Sequence, residues 1–193
     1  MVKEKIIENN FKKTYFQQVI PEIKKEFSLK NIHQIPRIEK VVINCGIGKL
    51  MTNSKNNPDT LKKAQELIAL ISGQMPVVIK AKKSIAGFKL REGMPVGLKV
   101  TLRKKKMEDF LFRFIHLVLP RIRDFWGISF KNIDEKGNLN YGIKDISIFP
   151  EVSKETLPFN LSLEVSFVPN IRKRDLAIRV YQLMGFPLEK GNK

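Results

Sequence analysis

Cysteine, histidine and tryptophan are nearly missing from this chain, which has one, two and one of them in 193 residues. A single thiol excludes an internal disulfide and points to a reducing compartment. His33, Cys45 and His116 lie too far apart in the sequence to suggest a metal-ligand set, so no metal site is expected. No apolar run approaches the roughly 20 residues of a membrane span. The opening stretch, MVKEKIIENNFKKTYF, lacks the apolar core of about 7–15 residues that marks a secretory signal. It also has no Arg and two acids, Glu4 and Glu8, unlike a transit peptide. The expectation is a chain made where it works, or one carrying an unrecognised signal, with no membrane span.

Acids are scarce as well: 19 Asp and Glu face 36 Lys and Arg, for a net charge of +17 at pH 7. Hydrophobic residues at 42% argue against disorder, and the length suits one core-forming domain. The expected division is a helical N-terminal extension over 1–14 and a single α+β domain over 15–193. Lys outnumbers Arg threefold, and Ile, Asn and Phe are abundant. That usage suggests an AT-rich genome, with a plastid favoured over an AT-rich bacterium.

The positive charge is concentrated. Residues 74–106, QMPVVIKAKKSIAGFKLREGMPVGLKVTLRKKK, hold ten Lys or Arg and one acid, Glu92. Val96, Leu98, Val100 and Leu102 alternate with Gly97, Lys99, Thr101 and Arg103. Such a strand buries one face and presents cations and a hydroxyl on the other. Ordinary solvated surfaces mix signs, whereas segregated cations are the footprint of a polyanion binder. A second cluster sits at the tip of KAKKSIAGFK, where Gly87 permits close backbone approach.

Other elements frame this window. Helical spacing runs through 3–27, with Pro21 as a break, and predicts a solvated helical arm. RIEKVVINC alternates, placing Glu39, Val41, Ile43 and Cys45 on one face and Lys40, Val42 and Asn44 on the other. Asn57-Pro58-Asp59 opens a helix whose stripe is Leu61, Ala64, Leu67, Ile68 and Ile71, with Gly73 as its cap. Val77 to Ile79 and Phe88 to Leu90 read as a short strand pair. Met107 to Val118 is amphipathic and ends at Pro120. The stretch from Pro120 to Val152 reads as irregular, with a turn at DEKGN. Leu161 to Phe167 alternates as a strand, and Arg174 to Met184 forms a closing helix capped by Gly185.

The loop NCGIGK follows a strand, as phosphate loops do. It lacks the four-residue glycine spacing and the Ser or Thr after Lys that such a loop needs. His33 and His116 have no nucleophile or carboxylate partner at a catalytic spacing, and Cys45 falls on an apolar face. No catalytic residue, cofactor or metal is expected. No helix reads as a basic recognition helix, which disfavours DNA major-groove readout. Aromatics are scarce on the sheet face, which disfavours stacking on single strands. Phosphates, 2′-hydroxyls and base edges of a structured RNA fit better.

Four runs then carry a resemblance: HQIPRIEKVVINCGIG, LIALISGQMPVVIKAKKSIAGFKLREGMPVGLKVTLR, LPRIRDFWGIS, and KGNLNYGI with the later IFPE. In this order they resemble the bacterial-type large-subunit ribosomal protein L-five (universal L-five), over about Tyr15 to Pro187. The resemblance implies an antiparallel β-sheet covered by helices on one face, with the other face open for RNA. It implies binding of 5S rRNA in the central protuberance, beside large-subunit rRNA and a neighbouring protein of the L-eighteen family.

Asn44, Gln74 and Thr101 match positions that bind 5S rRNA in that family. Lys99 and Arg103 share the strand face with Thr101. The loop bearing Lys80, Lys82, Lys83, Ser84, Gly87, Phe88 and Lys89 resembles one that approaches peptidyl-site tRNA. The region near PRIRDFWGIS resembles the part facing a small-subunit head protein of the S-thirteen family across an intersubunit bridge. Trp126 departs from the usual Arg there, and Lys104 to Lys106 is unusually basic. The competing reading of the basic sheet is an off-ribosome structured-RNA-binding module or assembly factor.

Overall fold

The computed structural model describes residues 15–29, 31–53, 58–152, 161–170 and 173–189. Its centre is a five-stranded sheet in the order β2-β3-β1-β5-β4, every neighbouring pair antiparallel. The strands are β1 (Ile38–Gly46), β2 (Val77–Lys80), β3 (Pro95–Leu102), β4 (Leu139–Ile143) and β5 (Leu163–Pro169). The helices are α1 (Ile20–Glu26), α2 (Gly48–Asn53), α3 (Pro58–Ser72), α4 (Lys104–Arg113) and α5 (Arg174–Leu183). This is the expected α+β architecture. The N-terminal extension over 1–14, and Asn57 with its capping role, lie outside the described residues.

Alternation decides which side of the sheet is buried. Val41, Ile43 and Cys45 of β1, Leu98, Val100 and Leu102 of β3, and Leu163, Val165 and Phe167 of β5 are all buried. Directly opposed residues share a face in an antiparallel pair, so these nine form one apolar floor. The helices cover it. Met107, Phe110 and Leu111 of α4 are buried, as are Phe114, Ile115 and Val118 in the π-helical turn that continues it. Phe114 lies 5.2 Å from Phe167 and 6.0 Å from Phe110, ring centre to ring centre. Leu176, Ala177, Val180 and Tyr181 of α5 complete the layer. The Tyr181 hydroxyl lies 2.9 and 3.2 Å from the carbonyls of Gly137 and Phe167, and its burial raises its pKa above the usual tyrosine value.

Four sequence expectations are corrected. The described part of the N-terminal arm, from Tyr15 on, packs one face on the core: Val19, Ile20 and Ile23 are buried, and Arg179 of α5 pairs with Glu26 of α1 at 2.7 Å. The first described turn, Tyr15–Val19, is π-helical. Glu39 does not share the apolar face, because Ile38 and Lys40 pair with consecutive residues of β5, Pro169 and Val168. Glu39 is left as the extra residue of a bulge. No strand forms over Phe88 to Leu90. A 3₁₀ turn, Ala86–Phe88, ends at Lys89 in the left-handed region (φ 53°), closed by one bridge between Ile85 and Leu90. Finally, the stretch that reads as irregular contains β4, an edge strand whose LNYGI sequence carries Asn and Gly, residues depleted in strands.

Candidate nucleic-acid interface

Among the described residues, no helix covers the opposite face of the sheet. Lys40, Val42 and Asn44 are half-buried, Lys99 is exposed and Thr101 is half-buried, all pointing away from the helices. Strand register assembles them into rows. Asn44 stands opposite Lys99 on one side and Glu164 on the other, and Glu164 stands opposite Gly142. The next row is Thr101, Val42, Ser166 and Asn140. A third row, Ile79, Gly97 and Gly46, has no side chain at two of its three positions. A Cβ on Gly97 would sit 3.3 Å from the Cys45 carbonyl, so the glycine keeps β3 flat against β1.

The predicted residues fall as follows. Asn44, Lys99 and Thr101 come together on this face. Gln74, just past the end of α3, extends its amide nitrogen 3.5 Å from the Thr101 carbonyl and so lies at the edge of the same surface. It is held there because Gly73 (φ 70°) reverses the chain, and Ser72 hydrogen-bonds both the Ile68 and the Gln74 carbonyls, at 2.7 and 2.8 Å. Arg103 sits at the far end of β3 and forms a 3.2 Å ion pair with Glu39, both about half-exposed. Such a pair contributes at most about 1 kcal/mol and opens readily for a stronger anion.

Lys104, Lys105 and Lys106 form the first turn of α4, which has no acid there. Cations oppose the helix dipole at that end, at a cost of roughly 0.3–1 kcal/mol each. Lys104 also occupies the left-handed region (φ 53°). Local rules are broken most often where function requires it.

The basic loop between β2 and β3 is a separate unit. Ala81 donates to the Met94 carbonyl at 2.8 Å, and Gly93 to the Ala81 carbonyl at 3.0 Å, which pins its base. Lys80, Lys82, Lys83, Gly87 and Lys89 are exposed, and Phe88 is 72% exposed at the tip. Ser84 has a structural role as well, because its hydroxyl accepts the Glu92 amide at 2.9 Å and holds the turn. At about 3.3 Å per residue, β3 places Thr101 about 20 Å from the loop end of the strand. The loop and the platform are therefore distinct surfaces.

Alternation puts Lys40 and Val42 on the face of Asn44 without marking them as site residues, and the candidate set leaves out Val77, Ile79, Glu164, Ser166, Asn140 and Gly142. Glu164 matters most, because it places an acid in the same row as Asn44 and Lys99. Its strand phase is readable from alternation, but its position beside Asn44 is set by register alone. The remaining motifs behave as expected or simply. Cys45 is buried, and burial pushes its thiol up to about 11. His33 is exposed, and His116 is exposed with its ring 4.7 Å from that of Phe112. Trp126 is 88% exposed. Among the described residues no helix is long and apolar enough to cross a membrane, and no cluster of three potential metal ligands is found.

Comparison with known proteins gives consistent results. The family model described as "Ribosomal protein L5" matches residues 31–91, and the model for the C-terminus of the same ribosomal family matches 95–188. The large ribosomal subunit protein uL5 of Thermosipho africanus is 43% identical over 179 residues, 93% of this chain and 97% of that protein. The uL5 of Geotalea daltonii is 45% identical over 90% of this chain and 94% of its own length. The large ribosomal subunit protein uL5c of Rhodomonas salina is 46% identical over 91% and 95% respectively.

Proposed function

Because this chain belongs to the ribosomal protein L5 family, and is a structural constituent of the large ribosomal subunit rather than an enzyme, we propose that its open sheet face is a platform for 5S rRNA. The observation that carries this reading is the row joining Lys99 and Asn44, with Thr101 and Gln74 beside it, on a sheet whose other face is fully covered. A cation, a side-chain amide and a hydroxyl are the groups that meet phosphates, base edges and 2′-hydroxyls. The platform acts by electrostatics and shape, and no bond is made or broken. In the assembled subunit it sits in the central protuberance against large-subunit rRNA and a neighbour of the L-eighteen family.

Asn44→Ala and Thr101→Ala should each weaken 5S rRNA binding about tenfold, the magnitude of one well-made hydrogen bond. Both side chains lie outside the core, so the melting temperature should stay within about 1–2 °C of the parent. Unchanged affinity in a filter-binding titration would remove these two residues from the platform.

The loop around Lys82 and Lys83 serves as a separate probe for peptidyl-site tRNA. Its separation from Thr101 and its exposed cations support this division. A Lys82→Ala, Lys83→Ala double variant should keep 5S rRNA affinity within about twofold of the parent and lower peptidyl-site tRNA occupancy on assembled ribosomes. An equal loss of 5S rRNA binding would place this loop on the platform instead. The exposed segment around Trp126 faces a small-subunit head protein of the S-thirteen family.

A further inference from the structure

A carboxylate is out of place on a surface that binds phosphates. Glu164 is exposed on the open face near the start of β5, directly across from Asn44, and its side chain forms no hydrogen bond or ion pair with the described residues. The nearest cation along its row, Lys99, is two strands away, about 10 Å at ordinary strand spacing. Beside Glu164 the surface is hollowed into a cleft of about 380 Å³ lined by Asn44, Gly46, Gly142, Lys144, Ser162 and Glu164. Two of these lining positions are glycines. A Cβ built on Gly46 or Gly142 meets nothing within 4 Å, so neither glycine is needed for packing.

We propose that this cleft takes one unpaired guanine of the bound RNA, with Glu164 accepting hydrogen bonds from its N1–H and N2–H. The proposal rests on the RNA-platform reading and deepens it, adding base readout to phosphate contact. An ionised carboxylate can only accept, and its two oxygens match two adjacent N–H donors. Among the four bases, guanine presents such a pair on its Watson–Crick edge, with the O6 acceptor alongside. Adenine places a ring-nitrogen acceptor next to its amino group, which a carboxylate repels. Asn44 and Lys144 lie in the same cleft and supply N–H donors suited to O6. A guanine engaged this way cannot be base-paired, which fits the general rule that sequence is read from splayed-out RNA bases. Bare backbone at Gly46 and Gly142 lets a flat ring approach closely.

The test turns on the sign of one substitution. If Glu164 only repels phosphate, Glu164→Gln should bind 5S rRNA more tightly. If Glu164 holds a guanine, Glu164→Gln should bind roughly ten- to a hundredfold more weakly, since one charged bidentate contact is lost. The salt dependence should keep the same slope, because no phosphate contact has changed. Kethoxal, which modifies the N1–N2 edge of unpaired guanine, should find one guanine protected by the wild-type chain and reactive with Glu164→Gln. Gly142→Val fills the cleft from β4 and should cause the same loss with an unchanged melting curve.

Equal or tighter binding by Glu164→Gln overturns the proposal, as does the absence of any Glu164-dependent guanine protection. Glu164-dependent protection of an adenine or cytosine from dimethyl sulfate, without a guanine, also overturns it. Failure of the wild-type chain to select 5S rRNA from total RNA would instead sink the platform reading itself.

Discussion

Phe114→Ala is expected to lower stability by about 3–5 kcal/mol, the range for truncating a well-packed core aromatic. Phe114 is fully buried where α4 passes into its π-helical turn. Its ring packs against three elements of the fold at once: Phe110 on its own helix, Phe167 on β5 at 5.2 Å and Tyr141 on β4 at 6.1 Å. Removing it opens a cavity under the β5–β4 half of the sheet, which holds Glu164, Ser166 and Gly142. Domains of ordinary stability have only about 5–15 kcal/mol in hand. For a chain of this size the midpoint should fall by roughly 6–20 °C, read from a thermal melt followed by circular dichroism. Lys99→Ala, two strands away on the exposed face, should leave that midpoint unmoved. A Phe114→Ala melt within about 2 °C of the parent would mean that α4 is not what anchors the sheet.

Raising monovalent salt from 50 to 200 mM should reduce 5S rRNA affinity by about 10³–10⁵, if six to ten phosphates are contacted. The cations on or beside the platform are Lys40, Lys99, Arg103, Lys104, Lys105, Lys106 and Lys144, enough for the lower end of that range. Each phosphate contact removed should flatten the log–log salt slope by nearly one. Replacing Lys104, Lys105 and Lys106 together by alanine should therefore flatten it by about two to three. The same triple variant removes three cations from a helix N-terminus, and should gain roughly 1 kcal/mol of stability while losing RNA. A filter-binding series across salt and a melting curve test both halves. An unchanged slope would show that the Lys triplet faces solvent in the complex.

That opposition explains why some of the chain is readable without coordinates and some is not. β3 and β1 are legible because their alternation is dictated by burial on one side only, so the faces of Asn44, Lys99 and Thr101 follow from counting. α4 is legible from spacing, yet its conversion to a π-helical turn at Phe114 is not, since only packing against the sheet selects it. β4 escapes a sequence reading because Asn140 and Gly142 carry little intrinsic strand preference, and pairing with β5 overrides it. Phe88 to Leu90 reads as a strand it does not form, because a few β-favouring residues weigh less than closure by a short bridge between Ile85 and Leu90.

Local sequence by itself determined the buried faces of β1 beyond Glu39, of β3, β5 and α4, and where the positive charge is concentrated. It also carried the family, through runs long enough to be specific. What only the tertiary structure decided is adjacency. Asn44 meets Lys99 and Glu164 across separations of 55 and 120 residues, and no local propensity encodes such a register. Long-range pairing is settled by the joint packing of five strands against the helices, which is a property of the whole core. The cleft beside Glu164, between two glycines on strands far apart in sequence, exists only at that level.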